Sequence, residues 1–313
     1  MLRYTVRRVL LTIPILFGVT VVTSALVYFS PGNPARIALG QGASAEAVRE
    51  LEREMGLNEP FHVRYIDWLW GVLNGNLGAS LENGRPVLQL ILERLPATIE
   101  LAVASMAITL VIALPLGVVS AVRQHSWTDR LSMVFAIFWI SMPSFWLALI
   151  LLLLFAVRWD VFPISGRAGA LFSLTALSYL VLPAISNGAR RAGLLTRMTR
   201  SSMLEILNED YIRTARGKGV GKRAVVYTHA MRNAMIPIIT LIGLQVPTLI
   251  SSSVIIETVF AWPGLGRMLV GAVERRNYPV VQGVVLFYSL IVIVSNLVVD
   301  VAYSYFDPRI EYD

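Results

Sequence analysis

The stretch Asn208-Glu209-Asp210-Tyr211-Ile212-Arg213-Thr214-Ala215-Arg216-Gly217-Lys218-Gly219 decides how this chain is read. It lies in a basic segment, Arg190 to Met235, that holds ten of the 27 Lys and Arg residues and only three acids, Glu205, Glu209 and Asp210. Apolar runs long enough to cross a bilayer flank the segment on both sides. Leu204, Leu207, Tyr211 and Ala215 recur at spacings of three and four, which predicts one apolar stripe on a helix of about three turns. The acids near its start and Arg213 and Arg216 near its end complement the helix dipole. Gly217, Gly219 and Gly221 are expected to stop it, because glycine readily takes turn geometry. Lys222 and Arg223 then open a second amphipathic piece, with Ala224, Thr228, Met231 and Met235 on one face. Two short helices at an angle would form a compact knob fitted to a partner's groove. The competing reading is an amphipathic hairpin lying flat on anionic lipid.

Outside this segment the chain is strongly apolar. Hydrophobic residues fill 56% of the 313 positions and charged residues 15%, against roughly 25% charged in soluble domains. Six apolar segments, near 9–29, 97–122, 131–157, 174–190, 236–258 and 279–300, predict an all-α polytopic membrane protein. The first runs 21 residues from Val9 to Phe29. That is about 31 Å of helix, the thickness of a bilayer core and longer than a secretory signal's apolar region, so it reads as a retained span. The fourth is short and interrupted by Pro183 and Asn187. An N-terminus on the cytoplasmic side puts the 123–130 turn, the 190–235 loop and the C-terminal tail there too, with 16 of the 27 Lys and Arg. That bias follows the positive-inside rule. The expected divisions are an anchor at 1–30, an extracytoplasmic insertion at 31–95, a transmembrane domain at 96–303 and a cytoplasmic tail at 304–313.

The insertion has structure of its own. Ser44 is a candidate N-cap for an exposed helix ending at Gly56, and Tyr65, Trp68, Leu69 and Trp70 suit the lipid headgroup level.

Much chemistry is excluded. There is no cysteine, so disulfides and thiolate metal sites are absent. Gly217-Lys218 and Gly221-Lys222 lack the glycine that a phosphate-binding loop needs five positions earlier. His62, His125 and His229 fall outside the spans without metal-ligand spacing and read as ordinary interfacial histidines. The interiors of the six segments carry no Asp, Glu, Lys or Arg, which weighs against an ion-relay carrier. Energy must then enter from elsewhere, and the basic loop is the candidate entry point. Gln245, Ser251, Ser252 and Ser253 on the fifth span and Asn296 on the sixth are polar candidates for a water-filled route; they could equally bond helices together.

Tyr211 to Pro237, YIRTARGKGVGKRAVVYTHAMRNAMIP, resembles the coupling loop of type I ATP-binding-cassette importer permeases, in the dipeptide, oligopeptide and nickel branch. The family signature is Glu-Ala-Ala, three residues, then Gly. Gly219 takes the glycine place and Ala215 is the one retained member of the triplet. His229, Met231 and Arg232 depart from the later Ile-x-Leu-Pro portion. Similarity extends along the chain: Met55 to Pro60, Gly75 to Ser80, Arg94 to Leu101, Pro143 to Trp146, Glu257 to Gly266, and Asp300 to Arg309. They resemble the first permease subunit of peptide importers. The resemblance implies a non-enzymatic subunit of a prokaryotic cell (inner) membrane, forming half of a translocation path for di- or oligopeptides. It implies a second homologous permease, two cytoplasmic ATPases that hold the ATP and Mg this chain lacks, and an extracytoplasmic solute-binding protein. Glu209, Tyr211, Arg213, Thr214, Ala215, Arg216, Gly217, Lys218 and Gly219 would form the surface seated in an ATPase groove. The alternatives are a nickel or other small-solute importer, a lipid-associated scaffold or receptor, and an ion-coupled carrier.

Overall fold

A computed structural model describes residues 2–29, 32–40, 42–169 and 173–306. The part of the expected tail from 307 to 313 lies outside the described residues. The regular elements among them are helices, with one isolated antiparallel bridge, Ala79 to Pro86. In hydrocarbon each backbone polar group must be satisfied within its own segment, and apolar runs meet that demand as helices. The order is α1 (Leu2–Phe29), α2 (Pro34–Leu39), α3 (Ala45–Glu54), α4 (Phe61–Leu73), α5 (Val87–Val122), α6 (Trp127–Ser141) and α7 (Ser144–Leu151). A π turn, Leu152–Arg158, continues α7. Then come α8 (Leu174–Leu207), α9 (Asp210–Gly217) and α10 (Lys222–Ala224), a second π turn (Val225–Ala230), α11 (Met231–Val259), α12 (Leu265–Glu274) and α13 (Tyr278–Phe306).

Among the described residues, four stretches are long and apolar enough to cross a membrane: Leu10–Phe29, Val87–Val122, Lys222–Val259 and Tyr278–Val299. A fifth is broken. The segment 131–157, expected as one span, is α6 and α7 with its π turn, meeting at 104°. Pro143 causes the break, since it lacks an N–H and drives the preceding Met142 to extended backbone at ψ 130°. The expected fourth span, 174–190, belongs to α8, whose 34 residues run on to Leu207. By composition α8 is not among the membrane-crossing candidates. Yet it holds more buried residues than any other described helix. A helix enclosed by protein can carry the polar residues that a lipid-facing one cannot.

The chain falls into two compact units, 1–98 with 263–297, and 99–262 with 298–313. In the first, Ser44 caps α3 as expected, accepting from the Ala47 N–H at 3.2 Å, and Gly56 follows the helix at φ +62°. Tyr65 does not stand free at an interface. Its hydroxyl pairs with Thr20 at 2.9 Å and its ring meets Phe17 edge-on, fastening α4 to α1. Trp70 is 69% exposed. Asn277 ties the bridge region down, donating to Ser80 Oγ at 2.7 Å and accepting from the Leu81 N–H at 3.1 Å.

The second unit is built around α8. Added side-chain carbon at Gly188 would sit 2.7 Å from the Ser105 carbonyl of α5, and at Gly193 2.4 Å from the Ala136 carbonyl of α6. Glycine therefore sets how closely these helices approach, the packing expected of small residues in membranes. One apolar cluster joins Ala113, Val118 and Ala121 of α5, Leu195, Met203 and Leu207 of α8, Ile212 of α9, Val225 and Ala230 of the π turn, and Ala234 and Ile238 of α11. The 123–130 turn is clamped by Asp129, which is 4% exposed. Its carboxylate accepts from Arg200 at 2.7 and 2.9 Å, from the His125 N–H at 3.0 Å and from Ser120.

Candidate functional site

The quoted stretch follows directly on one helix and contains another, with the break between them at Asn208 and Glu209. The single stripe expected through Leu204, Leu207, Tyr211 and Ala215 is therefore not on one helix: α8 ends at Leu207 and α9 starts at Asp210. The break changes the phase, so Ile212, fully buried, is the anchor, and Tyr211 is 42% exposed. The Tyr211 hydroxyl accepts from Asn233 Nδ2 of α11 at 2.7 Å. Glu209, Arg213, Thr214, Arg216, Gly217, Lys218 and Gly219 are exposed beside it, and Ala215 is half-buried. The internal polar contacts are few: Thr214 Oγ1 donates to the Asp210 carbonyl at 3.0 Å, and Arg213 meets Asp210 at 3.3 Å with both side chains open to solvent.

Of the three glycines expected to halt the helix, Gly219 alone has positive φ, +83°. Gly221 is extended at φ −62° and ψ 147°, a conformation open to any residue. The second face also differs from expectation. Ala224 and Thr228 are exposed, and Val225, Ala230 and Ala234 are buried instead. The π turn explains the change beyond Ala224, because its wider i to i+5 pitch shifts every downstream side chain relative to an α-helical count.

The polar candidates on α11 do not act as one group. Ser253 is buried, donating to the Ile250 carbonyl at 2.8 Å and to Glu257 at 3.0 Å. Ser251 is exposed and bonds back to the Pro247 carbonyl at 3.1 Å. Ser252 joins a network across helices: it donates to Asn187 Oδ1 at 2.9 Å and accepts from Arg191 Nη2 at 3.0 Å. Gln245 is 6% exposed, with neither amide atom hydrogen-bonded among the described residues. Asn296 is exposed on α13, in the other unit.

Reading the fourth span as ending at 190 missed Arg191, which the continuous α8 carries inward together with Asn187. A signal was available in the sequence. Ala184, Gly188 and Ala192 repeat every four residues straight across that boundary.

Comparison with known proteins agrees with this architecture. Residues 113–312 match the family model described as binding-protein-dependent transport system inner membrane component, and residues 1–102 match its N-terminal companion. The chain is 42% identical to a dipeptide transport system permease protein, DppB, of Alkalihalophilus pseudofirmus, covering all of both chains. It is 40% identical to the protein of that name in Escherichia coli, covering all of this chain and 99% of the other. Among solved structures, an inward-facing conformation of the MetNI methionine ABC transporter superposes at a TM-score of 0.58 with 18% identity, covering 70% of this chain and 97% of that one. That likeness speaks to fold alone. With two family models spanning nearly its whole length, the chain belongs to the inner membrane components of binding-protein-dependent transport systems.

Proposed function

We propose that this chain is a permease subunit carrying di- and oligopeptides in an ATP-driven importer. It performs no chemistry itself. It works beside a second homologous permease, with two cytoplasmic ATPases that bind ATP and Mg and an extracytoplasmic binding protein that delivers the solute. Its termini and the α8–α11 loop face the cytoplasm, in keeping with the basic residues gathered there. The observation that carries this reading is the contrast within the loop: Ile212 is locked in the apolar cluster, and the side chains around it from Glu209 to Gly219 point outward with little to bind. Such a surface suits an ATPase groove. Movement there passes through Ile212 into the bundle. Both relatives named above carry dipeptide names, which favours peptide over nickel as cargo.

The test is uptake of a labelled dipeptide by the purified complex in proteoliposomes. Uptake should need ATP, persist with an ionophore, and be accompanied by ATPase copurifying in fixed proportion. Uptake that collapses with the ionophore and continues without ATP would sink the reading in favour of an ion-coupled carrier. A loop that crosslinks only to lipid would favour the scaffold alternative.

A further inference from the structure

α8 carries two neighbouring cations, Arg190 and Arg191, near the middle of its 34 residues. The Arg191 guanidinium is held in place by neutral groups: Nη1 donates to the Asn187 carbonyl at 2.8 Å and Nη2 to Ser252 Oγ at 3.0 Å. Asn187, 1% exposed, is fixed in turn by donating to Ser105 Oγ of α5 at 3.2 Å. Among the described residues no carboxylate pairs with Arg191. Two of its five N–H groups are therefore used, and the side chain is only partly buried.

The level of this group follows from the helices around it. At 1.5 Å per residue, Ser105 lies about 8 Å along α5 from Glu100, and Ser252 about 12 Å along α11 from Phe260. Those two positions lie together, since Arg167 meets Glu100 at 2.7 Å and the neighbouring Gly166 N–H donates to the Phe260 carbonyl at 2.9 Å. Glu100 is the last charge before the uncharged run 101–122 of α5, so a group about 8–12 Å beyond that level falls within a core of roughly 30 Å. Charges at that depth face a bundle interior or a water-filled cavity, and they mark ligand paths. A clasp between helices would need only a neutral donor. A second polar group points the same way: Gln245, nine-tenths buried with no hydrogen bond among the described residues, shares a face of α11 with Ser252, seven residues apart.

We propose that Arg191, presented by Asn187 and Ser252, binds the terminal carboxylate of a peptide passing through this subunit, with Gln245 the next polar group along the path. The proposal rests on the peptide-importer reading. A planar donor fork matches a carboxylate at two points, and every peptide with a free C-terminus offers one. The positive pair would repel the peptide's amino end, so the cargo is oriented as well as bound.

The test compares uptake of trialanine with that of trialanine amide by the complete transporter in proteoliposomes, at saturating binding protein. The binding protein is common to all arms, so a change in the acid-to-amide ratio belongs to the permease. R191Q should lower that ratio about tenfold, the worth of one charge-assisted hydrogen bond. A ratio equal to wild type in an inserted R191Q, or in R191M where R191Q fails to insert, overturns the proposal and leaves Arg191 a helix clasp. Should neither variant insert, the wild-type complex is photolabelled with a peptide bearing a photoreactive C-terminal residue. Label within 187–195 or 245–252 supports the proposal; label confined elsewhere overturns it. A wild-type complex that takes up neither peptide defeats the peptide reading itself, a different result from an unchanged ratio.

Discussion

Two connections in the same unit, the turn at 123–130 and the loop at 208–224, solve opposite problems. The turn is closed upon itself. Asp129 is buried and takes hydrogen bonds from Arg200, Ser120 and the His125 backbone, so its carboxylate is matched within the chain, although Arg123, Gln124 and Arg130 are exposed. The loop is held by apolar Ile212 and leaves Arg213, Arg216 and Lys218 to solvent. A connection that only joins helices needs to look like the turn. One whose only buried anchor is apolar suits the partner surface proposed above.

The difference can be broken by mutation. The largest effect is expected at the turn. Asp129→Ala leaves Arg200 unmatched beside a buried site and should destabilise the protein by about 3–5 kcal/mol, read as a lower thermal unfolding midpoint in detergent. Asp210→Ala in the loop removes an ion pair already open to water and should leave that midpoint unchanged, as exposed pairs contribute little. A similar loss in both would mean the loop too is fastened by its charges.

Next comes the anchor. Ile212→Ala should cost about 2–5 kcal/mol, the range for emptying a buried aliphatic site, and should loosen the loop to limited proteolysis before the bundle unfolds. Gly219→Val comes third. At φ +83° a branched side chain brings about 1–3 kcal/mol of backbone strain, with open space around it. The subunit should still insert, and uptake should separate from ATP hydrolysis. Unchanged transport would break the assignment of 209–219 as the coupling surface. Gly221→Ala sharpens the comparison at the small end: its backbone suits alanine, so transport and stability should both stay within about 0.5 kcal/mol of the parent.

Much of the architecture was legible because lipid imposes a simple rule on the chain. The long apolar runs are helices, Ser44 and Gly56 bound α3 where capping chemistry places them, and Gly219 turns where a turn was needed. The misreadings share a cause, since each assumed an unbroken α-helical count. Asn208 and Glu209 interrupt the count before α9 and move the anchor from Tyr211 to Ile212. The π turn at Val225–Ala230 shifts it again, so that Thr228 is exposed while Val225, Ala230 and Ala234 are buried. Pro143 divides a run whose composition alone looks continuous. Arg191 escaped notice for a related reason. Hydropathy ends a span at the first charge, and α8 is enclosed by neighbours that let it carry one inward.

Ile212 has a last mechanical meaning. It sits in the same close-packed mass as Ala113, Leu195 and Ala234, contributed by three long helices. Packed interiors are stiff, so no soft layer separates the exposed surface from α5, α8 and α11. On the coupling role proposed above, the segment is a handle and not a hinge: a partner that displaced it would carry these three helices along with it.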